Sequence, residues 1–152
     1  MSRFFNILIL CMLLILSTEN VDAQRKIKYK DAFDMILSGD NEKSYSLLLE
    51  YQKQDPEFIN TYLQLGLISL DWAKINDPLT DIELVELFIY NTKLYLGLAK
   101  GKLQTDPKDV KKNKDYYMNV DVLKQIDKIE YEDAVNYIDS KIEEVNKLDK
   151  NI

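Results

Sequence analysis

The sequence predicts an all-α fold of five to six helices, and three observations carry that expectation. Apolar residues recur at spacings of three and four through five stretches of the chain. Turn and cap signals separate these stretches: Ser38-Gly39-Asp40, Asp55-Pro56, Asn76-Asp77-Pro78 and Asp106-Pro107. No run alternates apolar and polar residues for long enough to propose a sheet.

In chain order, residues 1–23 come first and read as a secretory signal peptide. Arg3 gives a positive start, and Phe4 to Leu16 is an apolar run of 13 residues broken only by Asn6. A polar stretch and Val21-Asp22-Ala23 then offer a cleavage site. The run falls short of the roughly 20 residues a spanning helix needs. Cleavage is therefore expected, with an uncleaved anchor as the alternative, and no stable membrane span is expected once the signal is cut. Cys11 lies inside the apolar run and reads as a small hydrophobe.

Residues 24–120 are expected to form a helical domain of four helices and a polar segment. Residues 24–30 are basic and polar, a frayed lead-in. The first helix is expected over 27–37, with Ala32, Phe33, Ile36 and Leu37 on one face. Gly39 suits the left-handed position after its end, and Asp40 or Asn41 can cap the next helix. That second helix is expected over 41–54, with Leu47, Leu48 and Tyr51 clustered. Pro56 blocks its continuation, because the residue before a proline avoids the α region.

The third helix is expected over 56–74, with Asp55 as cap and Pro56 in its first turn. Phe58, Tyr62, Leu65, Ile68 or Ser69, and Trp72 recur at helical spacing, and Leu63, Leu67 and Leu70 widen the face. A helix this apolar belongs at the centre of the fold. Gly66 costs roughly 1 kcal/mol against Ala in a helix interior, so it marks close approach by a neighbouring helix. The fourth helix is expected over 81–103, opened by a capping box of Thr80 and Glu83. Its face is read as Leu84, Leu87, Phe88, Leu94, Tyr95, Leu98 and Leu103. Gly97 and Gly101 are expected to allow close packing or to begin fraying before Asp106-Pro107.

Residues 106–119 read as a solvated loop or short helix that Tyr116, Tyr117 and Met118 dock onto the bundle. The remaining stretch, 121–152, is an amphipathic helix over 121–147 with a break near 129–131. Val135, Ile138, Ile142, Val145 and Leu148 make a narrow stripe of coiled-coil type. It serves either to cap the bundle or to bind a partner.

Composition narrows the function. The chain carries 20 Lys plus Arg against 26 Asp plus Glu. Removal of 1–23 leaves 19 against 24, a net charge of −5, which argues against nucleic-acid binding. After cleavage no Cys and no His remain. Disulfides, Cys/His metal sites and a histidine general base are excluded, and no cofactor is expected. Carboxylates alone remain for catalysis. Glu83 and Glu86 are a pair of the right type, but paired acids at helical spacing usually form a solvated face.

A period of 34 residues links Lys28 to Tyr62 and Ala32 to Gly66. With Gly39-Asp40, Ser44, Leu48 and Asp55-Pro56, it resembles the tetratricopeptide repeat, a helix-turn-helix unit of that length. Tyr62, Leu65 and Gly66 match the opening of a unit; Tyr51 stands where a small residue is expected. The next unit is stretched, since Asp55-Pro56 to Asp106-Pro107 spans 51 residues. Signal and helices together are loosely similar to the N-terminal part of envelope proteins of Bacteroidetes-type bacteria. In those, tetratricopeptide-like helices precede a β-propeller and an OmpA-type domain, neither of which this sequence contains.

The resemblance implies stacked antiparallel helix pairs. It also implies a non-enzymatic interaction module or scaffold, exported to the periplasm or associated with the outer membrane. Such a module receives a peptide or partner protein on a concave face. Tyr62, Trp72, Tyr90 and Tyr95 are the partner-binding candidates, each also readable as core. The alternative is an oligomerising subunit joined through the C-terminal helix.

Overall fold

The computed structural model describes residues 26–118 and 121–152. The expected signal peptide and Cys11 lie outside the described residues. Among the described residues seven α-helices pack in antiparallel arrangement and there is no strand. They are α1 (Tyr29–Leu37), α2 (Asn41–Gln54), α3 (Ile59–Ile75), α4 (Ile82–Thr105), α5 (Asp109–Lys112), α6 (Lys114–Met118) and α7 (Tyr131–Asp149). A 3-10 turn, Asp121–Gln125, precedes α7.

The joint between α1 and α2 follows from local chemistry. Gly39 adopts φ +83°, the left-handed conformation that costs glycine nothing. The Asp40 N–H donates to the Met35 carbonyl at 3.0 Å and the Gly39 N–H to that of Ile36 at 3.0 Å. These bonds satisfy carbonyls that the helix end would orphan. Asp40 then caps α2, its carboxylate accepting from the Lys43 N–H at 3.1 Å.

At the next joint Pro56 ends α2 but does not enter α3. It sits in a turn before Phe58, the residue that precedes the first helical turn. The Tyr62 hydroxyl donates to the Pro56 carbonyl at 2.7 Å and fastens that turn to α3. Asp55 makes no cap bond to α3; its backbone ends α2 instead.

α3 is the central helix. From Ile59 to Gly66 every residue is buried. It packs against α2 on one side and α4 on the other, with α7 touching a third. Gly66 sets the α3–α4 approach: a Cβ there would lie 2.7 Å from the Leu96 side chain and 3.2 Å from its backbone nitrogen.

α4 departs from the expected face. Val85, Ile89, Thr92, Leu96, Ala99 and Leu103 are buried, whereas Leu84, Leu87, Leu94 and Leu98 are exposed. The helix is apolar on both sides, so periodicity alone offered two faces. The side bearing Thr92, Leu96 and Ala99 won because it meets the small residue Gly66 and admits α3 closely. Gly97 and Gly101 have nothing within 4 Å of a virtual Cβ, and α4 continues past them to Thr105. They neither permit close packing within the chain nor begin its fraying. The Thr80/Glu83 capping box is absent too, since Asp81 precedes α4 without a side-chain cap. A capping box forms instead at α7, between Glu130 and Asp133.

The lead-in is tied down rather than frayed at Ile27. Its N–H donates to Gln54 Oε1 at 3.0 Å and its carbonyl accepts from Gln54 Nε2 at 2.7 Å. Past α4, the polar segment forms α5 and α6. Val110 and Tyr117 are fully buried, and Tyr116 places its ring among Tyr29, Phe33 and Phe58. α7 lays its stripe on the bundle. Ala134, Tyr137, Ile138 and Val145 are buried, and Val135, Ile142 and Leu148 pack beside them.

Candidate functional site

Helices α1, α3 and α7 leave a cleft of about 240 Å³ between them. The end of α1 contributes Ile36 and Leu37, and the start of α2 contributes Asn41. α3 supplies Gln64, Leu67, Ile68 and Asp71 from successive turns of one side. Lys124 comes from the 3-10 turn, and Tyr137 and Lys141 come from α7. Residues separated by a hundred positions meet here because α7 folds back across α3.

The floor is apolar and the rim is polar. Leu37 stands exposed at the rim. Lys124 and Lys141 face the single acid Asp71 among the lining groups, so this part of an acidic chain is locally basic. Lys141 also reaches Glu144 at 3.3 Å and lies 5.5 Å above the Tyr137 ring. Gln64 is 1% exposed, and its Nε2 has no hydrogen-bond partner. An unpaired buried donor costs roughly 1–3 kcal/mol, and this one has almost no surface that an occupant of the cleft could reach.

A second buried polar group lies behind α3. The Tyr117 hydroxyl donates to Asp109 at 2.7 Å, and Asn113 Nδ2 donates to the same carboxylate at 2.7 Å. The Tyr29 hydroxyl donates to the Asn60 carbonyl at 3.3 Å. Burial first, then the nearby charge of Asp109, pushes the Tyr117 hydroxyl far above its ordinary range. Tyr29 rises for the same leading reason, burial. The Asn60 side chain and the Thr61 hydroxyl have no partner beside this group. The bonds from Asn113 and Tyr117 to Asp109 tie α6 to α5.

The four aromatic candidates do not converge. Tyr62 is buried, with Lys102 Nζ 5.3 Å over its ring. Trp72 is half-buried between Tyr45 at 4.8 Å and Phe88 at 5.2 Å. Tyr95 is half-buried, packed both against the core around Leu63 and Leu103 and against the core around Phe33 and Leu48. Its hydroxyl is pushed up to about 12 by burial and by Tyr45, with which it shares a hydrogen bond. Tyr90 alone is strongly exposed, at 63%, on the outer side of α4. None of the four lines the α1–α3–α7 cleft. Of the residues that do, Gln64 carried a visible signal, a polar residue inside an otherwise apolar helix, and Lys141, on a helix charged over most of its surface, carried none.

Glu83 and Glu86 are exposed on α4. Among the described residues no group of acidic or sulfur side chains is placed to hold a metal ion, and no helix is long and apolar enough to cross a membrane. No family model, no curated protein and no solved structure matches the chain.

Proposed function

We propose that this chain is a non-enzymatic interaction module of the cell envelope, and that the α1–α3–α7 cleft receives an extended segment of a partner protein. The observation that carries the proposal is the cleft itself, whose apolar lining of Ile36, Leu67 and Ile68 is flanked by Lys124 and Lys141. The apolar lining takes side chains of the partner segment, and Lys124 at the rim favours a segment of negative charge. The spacing of Tyr62, Leu65 and Gly66 and the 34-residue period support a tetratricopeptide-like reading of the helix pairs. In that reading the cleft is the inner face of the stack. The apolar run at Phe4 to Leu16 supports export, with the periplasm or outer membrane as destination.

A photo-reactive residue at Leu37, on the rim, is expected to capture a partner in producing cells. Lys141→Glu should remove the adduct, and the same probe at Glu50, on the outside of α2, should give none. No adduct at Leu37, or an adduct indifferent to Lys141→Glu, would reject the cleft. Cell fractionation tests the compartment: full-length chain recovered from the cytosol would reject export.

The rival reading, association through the C-terminal helix, finds less support. The stripe it needs is already packed on α3 and α4.

A further inference from the structure

The apolar surface left without a partner lies on α4, not on α7. Leu84, Leu87, Tyr90, Leu94 and Leu98 are 40–63% exposed and recur at spacings of three and four. Their side points directly away from Val85, Leu96 and Leu103, which α3 and α7 cover. At these exposures the five side chains present roughly 500 Å² on each copy. That is a large contiguous patch for a monomer. A symmetric pair would remove about 1,000 Å² from water before its rim is counted, the area at which a specific interface becomes credible.

We infer that this face of α4 binds the same face of a second copy of the chain, with the two helices antiparallel about a two-fold axis near residues 92 and 93. Charge decides the direction. A parallel pair would set Glu83, near the middle of this face, against itself, and among the described residues it belongs to no ion pair that could offset the repulsion. The antiparallel pair separates the two copies of Glu83 and moves Glu86 toward the Lys100 end of the second copy, where Lys100 is already paired with Asp139 of its own chain. Lys93 is held by Asp149 of its own chain at 2.6 Å. Antiparallel helix dipoles also favour this direction.

Shape agrees. In the register that centres on residues 92 and 93, Leu94 meets Tyr90, and Leu87 meets Leu98 and Gly97 of the second copy. Gly101 lies opposite Leu84, so a large residue faces a small one at both ends. Each contact occurs twice, as a two-fold interface requires. The face is separate from the α1–α3–α7 cleft, and the inference does not rest on the function proposed for that cleft.

Sedimentation equilibrium of the full chain tests the inference. Twice the chain mass is expected at tens of micromolar. Leu94→Glu should return the monomer with unchanged helical circular dichroism, and Leu79→Glu, exposed but in the turn before α4, should leave the dimer intact. A monomer throughout would overturn the inference. A dimer that survives Leu94→Glu would also overturn it, because association would then run through another surface, the apolar run at Phe4 to Leu16 included. Orientation is read by disulfides in a Cys11→Ser background. Chains carrying Leu87→Cys are expected to cross-link to chains carrying Leu98→Cys. Either variant cross-linking preferentially to itself would overturn the antiparallel arrangement.

Discussion

Gly66 and Gly101 show how one residue type does opposite things on two helices. Gly66 has the Leu96 side chain 2.7 Å from where a Cβ would stand, and backbone close behind it. Gly66→Ala is expected to destabilise by about 1–3 kcal/mol, the usual cost of overpacking. Gly101 has open space. Gly101→Ala should stabilise α4 by up to about 1 kcal/mol. Thermal unfolding of the two variants should move the midpoint in opposite directions, by about 2–4 °C per kcal/mol. Equal shifts of one sign would contradict the packing described for α3 and α4.

The tyrosines give a second residue-scale prediction. Burial raises the hydroxyls of Tyr29 and Tyr117 well above their ordinary 10.0. A raised folded value means that the contribution to stability is complete below about pH 10 and is lost as pH climbs toward the folded value. Absorbance at 295 nm should therefore show fewer than the chain's 10 tyrosines ionising near pH 10. The remainder should ionise together with loss of helical signal. Smooth titration of all of them in the folded chain would refute their burial.

At the scale of elements, α6 and α7 depend on contacts that their own sequences do not advertise. α6 has five residues, too few to persist alone. Its anchor is Tyr117, packed in the core and donating to Asp109. Tyr117→Phe keeps the ring and strands one carboxylate oxygen, so chemical denaturation should report a loss of about 1–3 kcal/mol. α7 is fastened along its length by Lys74–Glu144, Lys93–Asp149 and Lys100–Asp139. Each exposed pair contributes at most about 1 kcal/mol.

Glu144 is the element whose pH dependence can be signed. Burial pushes its carboxyl up, but the Lys74 hydrogen bond and the Lys141 charge outweigh that and hold it below 4.5. Its contribution is present above that value and disappears as pH falls through the depressed one. Glu144→Gln should therefore lower the unfolding midpoint at pH 7 and lose its effect once the pH has fallen below the depressed value. A difference that persists in acid would assign the effect to packing instead of charge.

At the scale of the whole molecule, the placement of α7 does two things. It covers its own apolar stripe, which removes that stripe as a free surface, and it builds one wall of the cleft beside α3. The same stacking leaves the outer side of α4 open, because no later helix of the described chain reaches it. The proposed partner cleft and the proposed self-association face therefore lie on separate surfaces of one bundle. Leu94→Glu and Lys141→Glu should affect them independently, with changes at sites this far apart and without shared partners expected to combine additively.

Much of the fold was legible in the sequence because local chemistry fixes it. The 3.6-residue period gives helices, Gly39 and Asp40 give the first joint, and Pro56 ends α2 whatever surrounds it. A glycine inside an apolar helix announces that another helix comes close. Nothing local chooses between the two apolar sides of α4, and only the fit of Leu96 over Gly66 does so. Nothing local says that the break near Ile129 folds α7 back over α3, bringing Lys141 near Gln64. The helices and their joints are short-range consequences of the backbone, but the cleft and the bare face of α4 depend on which of several possible burials releases more apolar surface from water. That comparison exists only once all the helices are packed together.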